Sequence, residues 1–522
     1  MRRIVALGIV LAVVFRLAQL HGQIANLDLL IRGGTVMDGT GSEPVTVDIG
    51  IAGNRIAFIG DAGSAKVTAS RTLDAAGLIV APGFIDPHTH TFDDLNTPGR
   101  NSNLPYLMQG VTTVVTGNDG GGPISPASSF ELWQKQGIGT NAALYVGQGT
   151  IRRTVMNMTD ATPSSTEMER MKAMVSEAMD SGALGLSTGL YYAPGSYSTT
   201  EEVIELAKMA AAKGGIYDSH MRDESSYTIG LLGSIQETIR IGREARIPVH
   251  ISHIKALGTD VWGKSAEAIQ MIQRARSSGV DVTADQYPYL GSGTSVSASL
   301  LPRWAEVGGR DELLKRIADP SVRPRLVAEM EVNLKRRGGA DTLLIVGGSD
   351  PQIVGKRLDA VAKEWNKTPV DAAVQIIKNG GAGVVSFNMN DQDVDAFMRQ
   401  DWVMTGSDGS DGHPRKYGTF PRKMREYVLN KKIISMPFAV RSSSALTAET
   451  LHIPERGRLT PGYYADVIVF DEKVIADKST YEQPTVLAAG MKYVIVNGKV
   501  AVDSGKFTGV MAGRPVKRNG ME

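Results

Sequence analysis

The sequence predicts an α/β fold: a TIM-like (β/α)8 barrel, a small β-sandwich domain formed by both termini, and a subdomain inserted before the eighth barrel strand. Three observations carry this reading. Eight short apolar runs recur along the middle of the chain, most starting about 30 residues apart, which is the length that a strand, a return helix and two loops require. Amphipathic segments with helical spacing lie between them. Alternating strand-like runs bounded by turns occupy both ends of the chain.

The apolar runs cover residues 83–90, 111–116, 142–147, 183–187, 215–220, 248–253, 280–285 and 402–407. Eight is the number that closes a parallel barrel. Segments 166–180, 201–213 and 266–278 supply return helices. The rhythm breaks after Asp285, where about 110 residues precede the eighth run; a connection that long needs structure of its own. An insertion over about 291–400 is therefore expected, with a charged helical pattern over 311–337. Strand-like texture over 28–34, 45–51, 55–60 and 78–81 returns at 465–471, 493–500 and 501–505. The expected division is a β-sandwich of 23–82 with 440–522 flanking a barrel of 83–439.

Residues 1–22 begin with Arg2-Arg3, continue through an apolar run to Phe15 and end in small and polar residues. This is the layout of a secretory signal peptide, and the run is too short to span a bilayer comfortably. A periplasmic or secreted protein, with no stable membrane insertion after cleavage, is the expectation. Lys and Arg total 56 against 55 Asp and Glu, a net charge of +1, so no field of one sign draws the chain to nucleic acid or to an anionic membrane. A small-molecule substrate fits better. The absence of cysteine excludes disulfides, thiolate metal ligands and a cysteine nucleophile. Any metal must rest on His, Asp, Glu or a modified Lys.

Four of the eight histidines, His88, His90, His220 and His253, fall at the ends of candidate strands one, five and six. In Asp86-Pro-His-Thr-His90 the two imidazoles are one residue apart, so on a strand they share a face. A lone His-x-His is weak evidence, since packed or surface pairs are common. Four strand-end histidines together point to a metal. Asp408, in Thr405-Gly-Ser-Asp-Gly409, follows the eighth run and so lies beside the first when the barrel closes. There a carboxylate can touch a metal and accept a proton from the attacking water. A Ser-Asp-Gly triplet elsewhere is usually a turn. Asp119, in the glycine-rich Gly117-Asn-Asp-Gly-Gly-Gly122, is the other candidate oxygen ligand. Zinc on such a set lowers the pKa of bound water from 15.7 towards about 7 and polarises a carbonyl. Amide, ester and lactone hydrolysis and deamination all fit these ligands.

Pro82-Gly-Phe-Ile-Asp-Pro-His-Thr-His90, Ser252-His-Ile-Lys255, Ala284-Asp-Gln-Tyr-Pro-Tyr289 and His413-Pro-Arg-Lys-Tyr-Gly resemble the amidohydrolase superfamily and, within it, the N-acyl-D-amino-acid deacylases. The likeness runs from about Leu27 to the C-terminus. It implies one or two Zn2+ ions, with His220 and His253 on the tightly held zinc and His88 and His90 at the second position. Asp408 would be the general base and then the acid that protonates the leaving amine. Lys255, Tyr192 and Tyr287 would hold the substrate's α-carboxylate, with His413 and Arg415 nearby. A cation with phenol donors beside a metal is a natural carboxylate clamp. The resemblance implies hydrolysis of a linear amide next to a free carboxylate, in N-acyl-D-amino acids or D-residue-containing dipeptides. One departure stands out: these deacylases commonly carry a metal-bridging cysteine where this chain has Asp119, a harder ligand. The alternatives are a cyclic amide (hydantoinase- or dihydroorotase-like) or lactone hydrolase and, from another class, a non-catalytic exported binding protein. The cyclic-amide enzymes usually show a carboxylated lysine at a strand end, and run 183–187 offers none.

Overall fold

A computed structural model describes residues 27–518, so the signal-like stretch 1–22 lies outside the described residues. Eight parallel strands form the ring: Phe84–Thr89, Val111–Thr116, Asn141–Leu144 continued by Val146–Gly147, Gly185–Gly189, Ile216–His220, Val249–Ile251, Val282–Gln286 and Val403–Thr405. All eight predicted runs are present. The third is interrupted at Tyr145. Closure between the eighth strand and the first is made by a parallel bridge of Thr89 with Gly409.

The helix Ser165–Asp180 shows how local sequence places the return elements. Ser164 accepts from the Glu167 amide while the Glu167 carboxylate accepts from the Ser164 amide, a reciprocal cap that satisfies two otherwise free donors. Met171, Val175, Ala178 and Met179, at helical spacing, are buried in one core with Val146, Leu186 and Tyr217 of the barrel. Each large side chain buried this way contributes roughly 1.5–3 kcal/mol.

The insertion is a three-stranded antiparallel sheet, Gly291–Ser295, Ala382–Phe387 and Leu343–Gly348, with Ala382–Phe387 in the centre. Its helices close a separate core that includes Leu300, Leu326, Met330, Val361 and Ile376. The charged pattern expected as one helical stretch over 311–337 is two helices, Arg310–Ala318 and Arg323–Arg336. Pro320 lies between them, and a proline inside a helix has no N–H to donate and clashes with the preceding turn.

The two ends of the chain build one nine-stranded sheet, joined where Val467–Phe470 runs antiparallel to Ile79–Pro82. Ala69–Asp74, a strand the alternation did not reveal, pairs in parallel with Leu27–Val36. The run read as continuous from 493 to 500 is a hairpin, Met491–Val496 and Lys499–Asp503. Asn497 and Gly498 both have positive φ at its turn, matching the twist of the flanking strands. Before this sheet resumes, Met436–Ser442 and Ala445–Thr450 are helical, so the C-terminal β structure begins at Val467. Among the described residues no helix is long and apolar enough to cross a membrane.

Candidate metal centre

Ring closure sets the first part of the site. Asp408 N–H donates to the His88 carbonyl at 2.9 Å, and His90 N–H donates to the Gly409 carbonyl at 3.0 Å. These bonds bring the first strand's histidines against the carboxylate that follows the eighth. The loop 117–122 delivers the next ligand. It lies on the ends of the third and fourth strands, where Gly120 N–H donates to Ser187 Oγ at 2.8 Å. A Cβ at Gly122 would sit 2.1 Å from the Tyr145 carbonyl oxygen, so the loop approaches this closely only because it is glycine-rich. Asp119, Asp408 and His253 all have left-handed φ values, of 57°, 47° and 38°. Such backbone geometry is costly for non-glycine residues and concentrates at functional sites.

Two sets of side chains converge, His88, His90, Asp119 and Asp408 in one and Asp119, His220 and His253 in the other. Asp119 belongs to both. Its Oδ1 is 3.4 Å from His88 Nε2, 3.7 Å from His220 Nδ1 and 3.6 Å from His253 Nε2, while Oδ2 is 3.5 Å from His90 Nε2. Asp408 Oδ1 lies 3.0 Å from His90 Nε2 and 3.7 Å from His88 Nε2. His88 is fully buried, yet among the described residues neither of its ring nitrogens has a hydrogen-bond partner; Asp119 Oδ1 is orphaned in the same way. Buried polar atoms left unpaired are expensive, and a divalent cation would satisfy His88 Nε2 and Asp119 Oδ1 together, with His88 Nδ1 facing Asp285 Oδ1 at 3.8 Å. The donor set of imidazole nitrogens and carboxylate oxygens suits zinc.

The electrostatics agree. Burial opposes ionisation of Asp119, but His88 and His220 outweigh it and hold the carboxyl well below its usual range. Burial likewise disfavours a charged His88, and Asp119 and Asp285 overcome this to raise its pKa. Burial pushes His220 down to about 4. Burial and Lys255 work against the His253 imidazolium, while Glu224 and Asp408 bring it up to about 9. The carboxylates thus create a strong local demand for positive charge.

Lys255, Tyr192, Tyr287 and Arg415 all line the same cavity of about 430 Å3 as His90, Asp119, His220, His253 and Asp408. Their partners refine the expected clamp. Arg415 Nη1 is 2.8 Å from Asp408 Oδ2, and its guanidinium stacks 4.8 Å from the centre of the Tyr287 ring. The Tyr287 hydroxyl contacts Met389 Sδ at 3.8 Å, so it is the ring face that holds Arg415. Tyr192 Oη is 3.3 Å from Thr294 Oγ1 of the insertion. His413 is buried and neutral in its contacts: Nδ1 accepts from the Arg415 amide and Nε2–H donates to the Gly291 carbonyl. It ties the loop after the eighth strand to the insertion.

Glu224 is the functional residue that the sequence reading missed. Its Oε1 is 3.0 Å from His253 Nδ1 and 2.5 Å from Lys255 Nζ. His253 Nδ1 faces both Glu224 Oε1 and, at 2.7 Å, Lys255 Nζ, so the Glu224–Lys255 pair orients the imidazole with Nε2 towards Asp119. Asp285 supports the same strand ends by accepting from His250 Nε2–H and His253 N–H, both at 2.9 Å. The available signal was a carboxylate four residues beyond a strand-end histidine. Glu224→Gln is expected to weaken zinc binding by about 10–100-fold in a competitive chelator titration, since the neutral amide holds the Lys255–His253 pair less firmly.

Imidazoles and carboxylates gathered at the C-terminal ends of barrel strands, lining a substrate-sized cavity, define a metal-dependent hydrolase. The chain belongs to the amidohydrolase family, whose profile matches residues 71–502, and it is a metal-dependent amidohydrolase similar to D-aminoacylase. It is 36% identical to the D-aminoacylase of Alcaligenes xylosoxydans xylosoxydans over 94% of this chain and 98% of that one. A crystal structure of D-aminoacylase superposes with a TM-score of 0.82 at 34% identity, covering 94% of this chain and all of the other. The metal centre of D-aminoacylase is binuclear. N-acyl-D-glutamate deacylase from Bordetella bronchiseptica, in complex with zinc and a phosphonate mimic of the tetrahedral intermediate, gives 0.81 at 30% identity, covering 94% of this chain and all of that one.

Proposed function

We propose that the protein hydrolyses the amide bond of N-acyl-D-amino acids, or of dipeptides with a D-residue beside the free carboxylate, using zinc held by His88, His90, Asp119, His220, His253 and Asp408. The observation that carries this is the sharing of Asp119 by two convergent ligand sets at the floor of a cavity walled by Lys255, Tyr192, Tyr287 and Arg415. Zinc bound there supplies a lowered water pKa and a polarised amide carbonyl. The residues of the chain do the rest. Asp408 accepts the proton of the attacking water and returns it to the leaving amine nitrogen. Arg415 keeps Asp408 ionised for the first of these steps, because against burial it holds the carboxyl below its usual range. The cationic and phenolic wall orients the α-carboxylate and so places the scissile carbonyl over the metal ligands. The insertion shields the cavity through Val346, Val384 and Val385.

The cyclic-amide reading has less support. Gly185–Gly189 carries no lysine, and Ser187 at its centre is engaged with Gly120. The signal-like residues 1–22 favour an exported enzyme that meets peptide and cell-wall fragments, so dipeptides belong among the substrates tried. Turnover of N-acetyl-D-amino acids, their L-enantiomers, D-residue dipeptides and hydantoins by the purified enzyme tests the proposal. Chelation is expected to abolish activity and zinc to restore it. Equal turnover of both enantiomers would remove the D-specific assignment, and hydantoin hydrolysis alone would overturn the linear-amide one.

A further inference from the structure

Among the described residues three Lys and Arg side chains line the cavity, Lys255, Arg337 and Arg415. Lys255 is paired with Glu224 and Arg415 with Asp408. Arg337, at the end of the insertion helix Arg323–Arg336, is only 2% exposed, and its partners are all neutral. Nε donates to Tyr227 Oη at 2.5 Å, Nη2 to Tyr191 Oη at 3.1 Å and Nη1 to Ser386 Oγ at 3.4 Å. Those phenols are fixed in turn: Tyr191 Oη donates its hydrogen to the Ala298 carbonyl and Tyr227 Oη to the Ser299 carbonyl, leaving their lone pairs for Arg337. Two further guanidinium groups stack on the same rings, Arg303 at 4.6 Å from Tyr191 and Arg336 at 4.7 Å from Tyr227.

A buried guanidinium normally has a carboxylate or phosphate partner, since an uncompensated buried charge is strongly unfavourable. Here it is held rigidly without being neutralised. Of its five N–H groups three are used, which leaves one on each terminal nitrogen free for an anionic acceptor. Holding the group in place beforehand removes the ordering cost from the binding step.

We propose that Arg337, positioned by Tyr191 and Tyr227, is a subsite for a second carboxylate on the substrate, so that dianionic N-acyl amino acids are preferred. This rests on the amide-hydrolase reading above. The second carboxylate comes either from the amino-acid side chain or from the acyl group, and paired substrates separate these sources. N-acetyl-D-glutamate is compared with N-acetyl-D-glutamine, and N-succinyl-D-leucine with its terminal succinamide analogue. The zinc-loaded enzyme is expected to favour the dianion in one pair by about tenfold or more in kcat/KM, with the difference in KM, as a charge-assisted hydrogen bond predicts. Arg337→Met should erase that preference, losing at least tenfold more on the dianion than on its amide, and Arg337→Lys should recover part of it. No preference in either pair, or an equal loss on both members in Arg337→Met, overturns the subsite. Calorimetric binding of the same four compounds separates the two readings. Arg337-dependent binding of a dianion without turnover keeps the subsite and removes the hydrolase assignment, whereas turnover without discrimination does the reverse.

Discussion

Replacing Asp408 by asparagine is expected to lower kcat by a factor of about 10²–10⁴, the contribution of a positioned general acid and base. The side chain sits where both of its duties meet, with Oδ1 at 3.0 Å from His90 Nε2 and Oδ2 at 2.8 Å from Arg415 Nη1. Asparagine keeps the shape but cannot take the proton. Its amide also presents hydrogens either to Arg415 or to the metal ligands, so one set of contacts is lost whichever way the group is flipped. Steady-state kinetics with zinc content measured on the same sample distinguish loss of chemistry from loss of metal. A variant that holds wild-type zinc with full kcat would exclude Asp408 as the base.

Asp119→Ala is expected to have the other large effect, because one substitution removes an oxygen from both ligand sets. Bound zinc should fall below one ion per chain, and activity should drop by more than the roughly 10–100-fold that loss of an outer hydrogen-bonding partner costs. The alanine leaves His88, already without a hydrogen-bond partner, facing less compensating charge. Asp119→Cys is the informative companion. Thiolate is a softer ligand that zinc accepts readily, so metal should be retained. The backbone at φ 57° is a left-handed conformation that Asp adopts more readily than Cys, and a cost of about 1 kcal/mol is expected in thermal unfolding. Metal analysis with and without added zinc, together with unfolding midpoints, reads out both effects. Two retained zinc ions in Asp119→Ala would show that the carboxylate is not the shared ligand.

Much of the barrel was legible because strand and helix periods are local properties. The alternation that puts His88 and His90 on one face needs only the strand itself, and helix 165–180 announces its start through Ser164 and Glu167. Regions with competing local signals were less legible. The charged stretch after residue 310 reads as one helix until Pro320 is given its steric weight, and 493–500 reads as one strand until Asn497-Gly498 is taken as a turn. Ala69–Asp74 shows little alternating hydrophobicity, since only Leu73 is buried, and it joins the sheet through backbone pairing alone.

By itself the sequence determined which chemistry-bearing residues stand at strand ends, because an eight-strand parallel closure carries every such end to one face. It also determined the family, through motifs around His88, His253 and His413. Only the tertiary structure decided that Asp119 faces all four metal-site histidines, that Glu224 holds His253 and Lys255, and that among the described residues Arg337 alone of the cavity's Lys and Arg lacks a carboxylate. These facts concern distances of a few ångströms between loops tens to hundreds of residues apart. Charge pairing follows such distances rather than position along the chain.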